Sequence, residues 1–128
     1  MATIADYLVL RDGTFDLESG EHLELDPFFP PDDLVTGSGS ANAILCYKAR
    51  PLPQAPFTPQ VDLKILLKFQ NLEIETVTIQ DDSVRGLWEV FPAGKLSSTV
   101  GNIFIFESES GRVRISDVVL WYQRNIAV

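Results

Sequence analysis

The sequence predicts an all-β domain: an antiparallel two-sheet β-sandwich, jelly-roll-like, of about eight strands. Three observations carry this. Apolar residues alternate with polar ones at a period of two along most of the chain, and no stretch sustains the 3.6-residue period of a helix. The alternating segments are short and separated by turn-forming clusters. Two proline-rich stretches, residues 26–42 and 51–60, are long enough to carry the chain from one sheet to another.

The elements follow in order. Ile4 to Leu10 is the first strand, and "TFDLE" and "HLELD" read as two short pieces broken at Ser19-Gly20. "DPFFPPDDLVTGSGSAN" holds three prolines and two glycines and is irregular. "NAILCYKAR" is a strand. "PLPQAPFTPQ", with four prolines in ten residues, is an extended, stiff crossover between sheets. In residues 61–79, Val61, Leu63, Ile65, Leu67 and Phe69 share one face, while Asp62, Lys64, Lys68 and Gln70 share the other. A reversal at Gln70-Asn71 sets Phe69 opposite Leu72, Leu67 opposite Ile74, Ile65 opposite Thr76, and Lys68 beside Glu73. Leu66 is the exception on the polar face. Val84–Phe91 forms the next strand, its core face assigned to Val84, Trp88 and Val90. A turn at Pro92-Ala93-Gly94, the strand "NIFIF", the turn "SESG" and a terminal strand complete the count.

That terminal strand changes character midway. Arg112, Arg114 and Ser116 alternate with Val113 and Ile115, but after Asp117 both faces become apolar in Val118-Val119-Leu120-Trp121-Tyr122. Strict alternation would bury Asp117, at a cost of several kcal/mol unless it is partnered or neutral. A bulge at Ser116-Asp117 avoids this and turns Val118, Leu120 and Tyr122 inward, with Val119 and Trp121 outward. Without a bulge the two sets exchange roles and Asp117 needs a buried partner such as an arginine. Either way, one apolar set faces away from its own core.

Composition bounds the function. The chain of 128 residues is 45% hydrophobic and 22% charged, ordinary for one globular domain, residues 1–128. Eighteen acidic residues against ten basic ones give a net charge of −8, which disfavours nucleic acid and anionic membranes. No apolar stretch is long enough for membrane insertion, and no signal peptide opens the chain. The expectation is cytosolic synthesis, with incorporation into a virion or other particle left open. Cys46 is the one cysteine, so no intrachain disulfide forms; within "AILCY" it reads as a small buried hydrophobe.

"VDLKILLKFQNLEI", "LWEVFPAGKL", "GNIFIF" and "SGRVRISDVVLWYQ" together resemble the galactose-binding-like jelly-roll superfamily over residues 61–124. The resemblance implies a β-sandwich of the kind found in carbohydrate-binding modules, lectins and accessory domains of virion and tail proteins. It transfers no functional residue.

Nothing in the sequence points to catalysis, and the chain is expected not to be an enzyme. His22 has no Gly-x-Ser-x-Gly partner and reads as an exposed turn residue. Glu73 with Glu75, and Glu107 with Glu109, stand about 7 Å apart on strand faces, as charges on any amphipathic strand do. "GSGSAN" runs into a strand and offers no helix N-terminus to a phosphate. No cofactor is implied, though Asp26, Asp32, Asp33, Asp81 and Asp82 are calcium candidates in loops. An EF-hand is excluded, since a loop begun at Asp81 places Pro92 at position twelve. Phe28, Phe29, Val119 and Trp121 are the interface candidates for a structural module that self-associates or joins a larger assembly. The alternative is a carbohydrate-binding module, with Tyr47, Trp88 and Trp121 stacking on sugar rings.

Overall fold

The computed structural model describes residues 2–37, 41–53, 60–68, 72–80 and 83–126. Eight strands run in chain order: β1 (Ala2–Leu17), β2 (His22–Glu24), β3 (Asn42–Leu52), β4 (Val61–Leu67), β5 (Leu72–Ile79), β6 (Arg85–Pro92), β7 (Phe104–Ser110) and β8 (Arg112–Ile126), with one 3-10 turn at Ala93–Lys95. They form two four-stranded sheets, in the orders β1-β8-β3-β6 and β2-β7-β4-β5. Every pairing between these strands is antiparallel. The neighbours β1 and β8, β2 and β7, β3 and β6, and β4 and β5 are nested about the middle of the chain. This is jelly-roll topology: a long hairpin folded over so that alternate pairs fall in opposite sheets. The stretch 53–60 joins β3 in one sheet to β4 in the other, as a crossover should; residues 54–59 lie outside the described residues.

Alternation accounts for the core. Val61, Leu63, Ile65 and Leu67 of β4, Phe104 and Phe106 of β7, and Leu45 and Tyr47 of β3 are buried between the sheets. Aromatic rings bridge the layers: Phe106 meets Phe15 and Tyr47 edge-on at 5.9 and 5.4 Å, and Phe104 meets Phe91 edge-on at 5.8 Å. These are the tilted contacts that ring quadrupoles favour.

The structure corrects four readings. "TFDL" is no separate piece but the end of β1, because register shifts near Arg11 and a positive-φ Gly13 absorb the irregularity without ending the strand. The β4–β5 hairpin is shifted: Leu67 pairs with Leu72 and Ile65 with Glu75, across a bulge between Ile65 and Leu66. Lys68 reaches Glu24 of β2 at 2.8 Å rather than Glu73. Residues 69–71, where the reversal was expected, lie outside the described residues. Trp88, Val90 and Val84 are exposed, not core. Pairing with β3 sets Phe91 opposite Ala43, Glu89 opposite Leu45 and Leu87 opposite Tyr47, so the odd-numbered residues face inward. Cys46, expected inside, lies half-buried on the outer face because its neighbours Leu45 and Tyr47 take the core.

In β8, Asp117 has φ 53°, the left-handed region, and the register against β3 skips from Ser116 to Val119 across it. The bulge is therefore real. Val118, Leu120 and Tyr122 are buried, and Asp117 stays outside at 3.5 Å from Lys48. Aspartate tolerates this conformation better than bulkier side chains do, which explains a carboxylate at the changeover.

Candidate docking surface

The bulge decides what the outer face of the β1-β8-β3-β6 sheet carries. Beyond Asp117, the register aligns two complete cross-strand rows over all four strands. One row is Tyr7, Trp121, Ile44 and Val90; the next is Val9, Val119, Cys46 and Trp88. None of the eight is charged. Six remain well exposed: Trp88 at 67%, Val9 at 55%, Val90 at 54%, Tyr7 at 51%, Trp121 at 41% and Ile44 at 36%. The rows are about 7 Å apart and span four strands at about 4.8 Å spacing. The rings of Tyr7 and Trp121 lean together with centroids 5.0 Å apart.

On one side these rows are bordered by charge. Arg114 donates two hydrogen bonds to Asp16, at 2.8 and 3.1 Å, Arg112 pairs with Glu18 at 2.8 Å, and Lys48 faces Asp117. The Arg114 guanidinium holds the Asp16 carboxyl below the usual range. On the other side the border is neutral, with Ala5 opposite Gln123 on β1 and β8 and Asn42 opposite Pro92 on β3 and β6. A shallow depression there is lined by Ala5, Asn42, Ile44, Trp121 and Gln123.

The sequence candidates are dispersed by the fold. Val119 and Trp121 lie in the two apolar rows. Phe28 does not: it bridges to Asn102 and stacks on Phe104 at 5.8 Å, closing the end of the core, while its neighbour Phe29 is exposed. Tyr47 is buried and cannot stack on a sugar; its hydroxyl donates to Glu89 at 2.9 Å. Trp88 is available, on the outer face.

Of the calcium candidates, Asp33 accepts two hydrogen bonds from Arg124, at 2.7 and 3.0 Å, which hold its carboxyl below the usual range; Arg124 also reaches Asp6 at 3.0 Å. Asp26 and Asp32 are exposed, and Asp81 and Asp82 lie outside the described residues. Among the described residues no cluster of three His, Cys, Asp or Glu is placed to hold a metal. His22 is exposed opposite Glu107 on the other sheet.

Glu73 and Glu75 are parted by the β5 irregularity. Glu73 stays outside beside Leu66, and Glu75 lies opposite the buried Ile65. Its charge reaches Glu89, whose carboxyl is raised first by burial and then by this neighbour. Sequence reasoning missed Tyr7, Val9, Ile44 and Val90 as surface residues. The alternation in "YLVL" and "AILCY" is apolar in both phases, so only the register could say which phase faces out. It also missed the buried Asn102, whose side chain accepts from the Ser97 N–H at 2.8 Å and donates to the carbonyls of Ser97 and Phe28, fastening two loops together.

Strand order and the two apolar rows define a jelly-roll domain with an uncovered sheet face. No protein family and no curated protein sequence matches the chain. Among solved structures it is similar to a chain described as family 16 carbohydrate binding module-2, at 13% identity and a TM-score of 0.40, covering 89% of this chain and 74% of that one. It is also similar to a chain in the structure of infectious bursal disease virus, Gx strain, at 10% identity and a TM-score of 0.39; the match covers 100% of this chain and 39% of that one. No helix is long and apolar enough to cross a membrane among the described residues.

Proposed function

We propose that the domain is a non-catalytic structural module that docks through the outer face of the β1-β8-β3-β6 sheet into a homo-oligomer or larger particle, of the virion or tail component type. The observation that supports this is the pair of apolar rows. A sheet that needs only one face for its core normally carries polar residues on the other, and a contiguous apolar patch marks a contact site. Aliphatic side chains between the aromatic ones favour a protein partner over a sugar, because Val9, Val90, Val119 and Ile44 offer a pyranose neither a ring nor a hydrogen bond. The test is Trp121→Glu in the producing cell, with Trp88→Ser as a second variant and thermal unfolding as the folding control. Both variants should fold and lose co-sedimentation with high-mass material. Folded variants that co-sediment like the wild type overturn the reading.

A second reading has one observation behind it. The depression beside Trp121 combines an indole with the amides of Asn42 and Gln123, the chemistry that grips a sugar ring and its hydroxyls. A glycan array screened with and without calcium tests it: binding competed by free sugar and lost in Gln123→Ala supports a carbohydrate module, and a clean negative with folded protein removes it.

A further inference from the structure

We infer that the occupant of the apolar face is a second copy of this chain, packed face to face about a two-fold axis that lies in the interface and runs across the strands. The inference rests on the docking reading above and names its partner. Three features support it.

The first is the pattern of sizes. On β1, β8 and β6 the two rows place one aromatic and one valine side by side: Tyr7 with Val9, Trp121 with Val119, and Trp88 with Val90. A two-fold axis across the strands lays each strand over its own copy and exchanges the rows. Each aromatic then meets a valine of the partner, bulk against recess, as an isologous contact requires.

The second is area. The exposed apolar side chains of the two rows present roughly 600 Å² per copy, taking full exposures of the size known for aromatic and branched residues. A standard interface takes about 800 Å² from each partner, so the two rows supply roughly three-quarters of it and the border supplies the remainder.

The third is charge. Two chains of net charge −8 repel over most of their surfaces. The apolar rows carry no charge, and the border beyond Val119 is close to neutral overall, because Asp117, Asp16 and Glu18 pair with Lys48, Arg114 and Arg112. An axis across the strands lays the near row of this paired border, Lys48 with Asp117, over the neutral end of the partner, where Gln123 and Asn42 lie, and sets no like charges face to face.

Sedimentation of the pure protein over a dilution series, read together with acrylamide quenching, is the test. Both tryptophans of the chain stand on this face, so their quenching reports on it alone. The expected result is a mass twice that of the chain at high concentration, falling to one chain on dilution as quenching rises. Val119→Glu should weaken association by at least about 100-fold while melting like the wild type at dilutions where both are single chains, and Trp88→Ser by about 10-fold or more. Added salt should tighten the pair by screening the acidic surfaces. A wild-type chain that stays single up to millimolar concentration overturns self-pairing. So does a double mass whose quenching ignores both dilution and substitution. If the chain is single yet Trp121→Glu still loses co-sedimentation in the cell, the docking face stands and its partner is another protein; if co-sedimentation is unchanged too, both readings fall.

Discussion

The outer faces of the two sheets invite comparison because their inner faces are so alike. The β2-β7-β4-β5 sheet follows the usual rule: Lys64 stands opposite Glu107 and 3.8 Å from Glu109, Lys68 holds Glu24 at 2.8 Å, and Thr78 donates to Asp62 at 2.7 Å. Leu66 and Ile105, its outward apolar residues, pair with each other and are half-buried. The β1-β8-β3-β6 sheet breaks the rule over two full rows. Both sheets contribute equally ordinary cores, so the difference does not arise from folding. Core formation therefore accounts for the apolar residues inside and leaves those in the two outer rows without a role in folding.

The largest expected effect comes from shifting the phase of β8 beyond the bulge. Deleting Val119 leaves β8 one residue short beyond the bulge, so either Trp121 turns inward and Leu120 outward or the bulge is lost and Asp117 is buried, whereas deleting Asp117 itself only straightens the strand and leaves both faces as they are. Loss of about 5 kcal/mol or complete failure to fold is expected for the Val119 deletion, read by near-ultraviolet circular dichroism and denaturant titration. Wild-type stability in that deletion would show that something else sets the two faces.

Keeping the bulge but straining it is milder. Asp117→Val places a β-branched residue at φ 53° and should cost about 1–3 kcal/mol, whereas Asp117→Gly should be nearly neutral. Equal losses for both would mean that the ion pair with Lys48, not the backbone conformation, matters at this position.

The outer faces themselves should be indifferent to folding. Trp88→Ser on one sheet, and Lys64→Met with Lys68→Met on the other, should each change unfolding free energy by no more than about 0.5 kcal/mol per site. Only the tryptophan variant should alter association.

The smallest effect is a pH dependence at the open edge between β5 and β6. Burial and Glu75 raise the Glu89 carboxyl, so the folded chain keeps its proton at a pH where the unfolded chain has released it. Stability therefore falls as pH rises from the ordinary glutamate range through the raised value, and Glu89→Gln should flatten that slope. Asp6, Asp16, Asp33 and Asp62 act the other way. Their carboxyls are lowered, chiefly by the Tyr7 backbone N–H for Asp6, Arg114 for Asp16, Arg124 for Asp33, and Thr78 for Asp62. Their contribution is present above the usual aspartate range and is lost as pH falls through the lowered values. Thermal melts of wild type and Glu89→Gln over this range separate the two slopes.

Much of this was legible in the chain itself. A period of two in β4 named its buried residues, because the other phase, Leu66 apart, is polar. The changeover at Asp117 announced a bulge, because the alternative buried a carboxylate. In β3 and the first half of β1 both phases are apolar, and in β6 the phase with two valines and a tryptophan looked more like core than Leu87, Glu89 and Phe91. Local pattern could not decide there, and it chose wrongly for Trp88 and Cys46.

The sequence alone determined that this chain is an all-β sandwich with more apolar strand surface than its core can use. That follows from periodicity and turn chemistry, which act over a few neighbouring residues. Only the tertiary structure decided where the surplus lies, because register is settled between strands such as β1 and β8, which pair Ala2 with Ile126 from opposite ends of the chain. Pairing turned Tyr47 inward and Trp88 outward, and it drew eight scattered residues into two rows on one face.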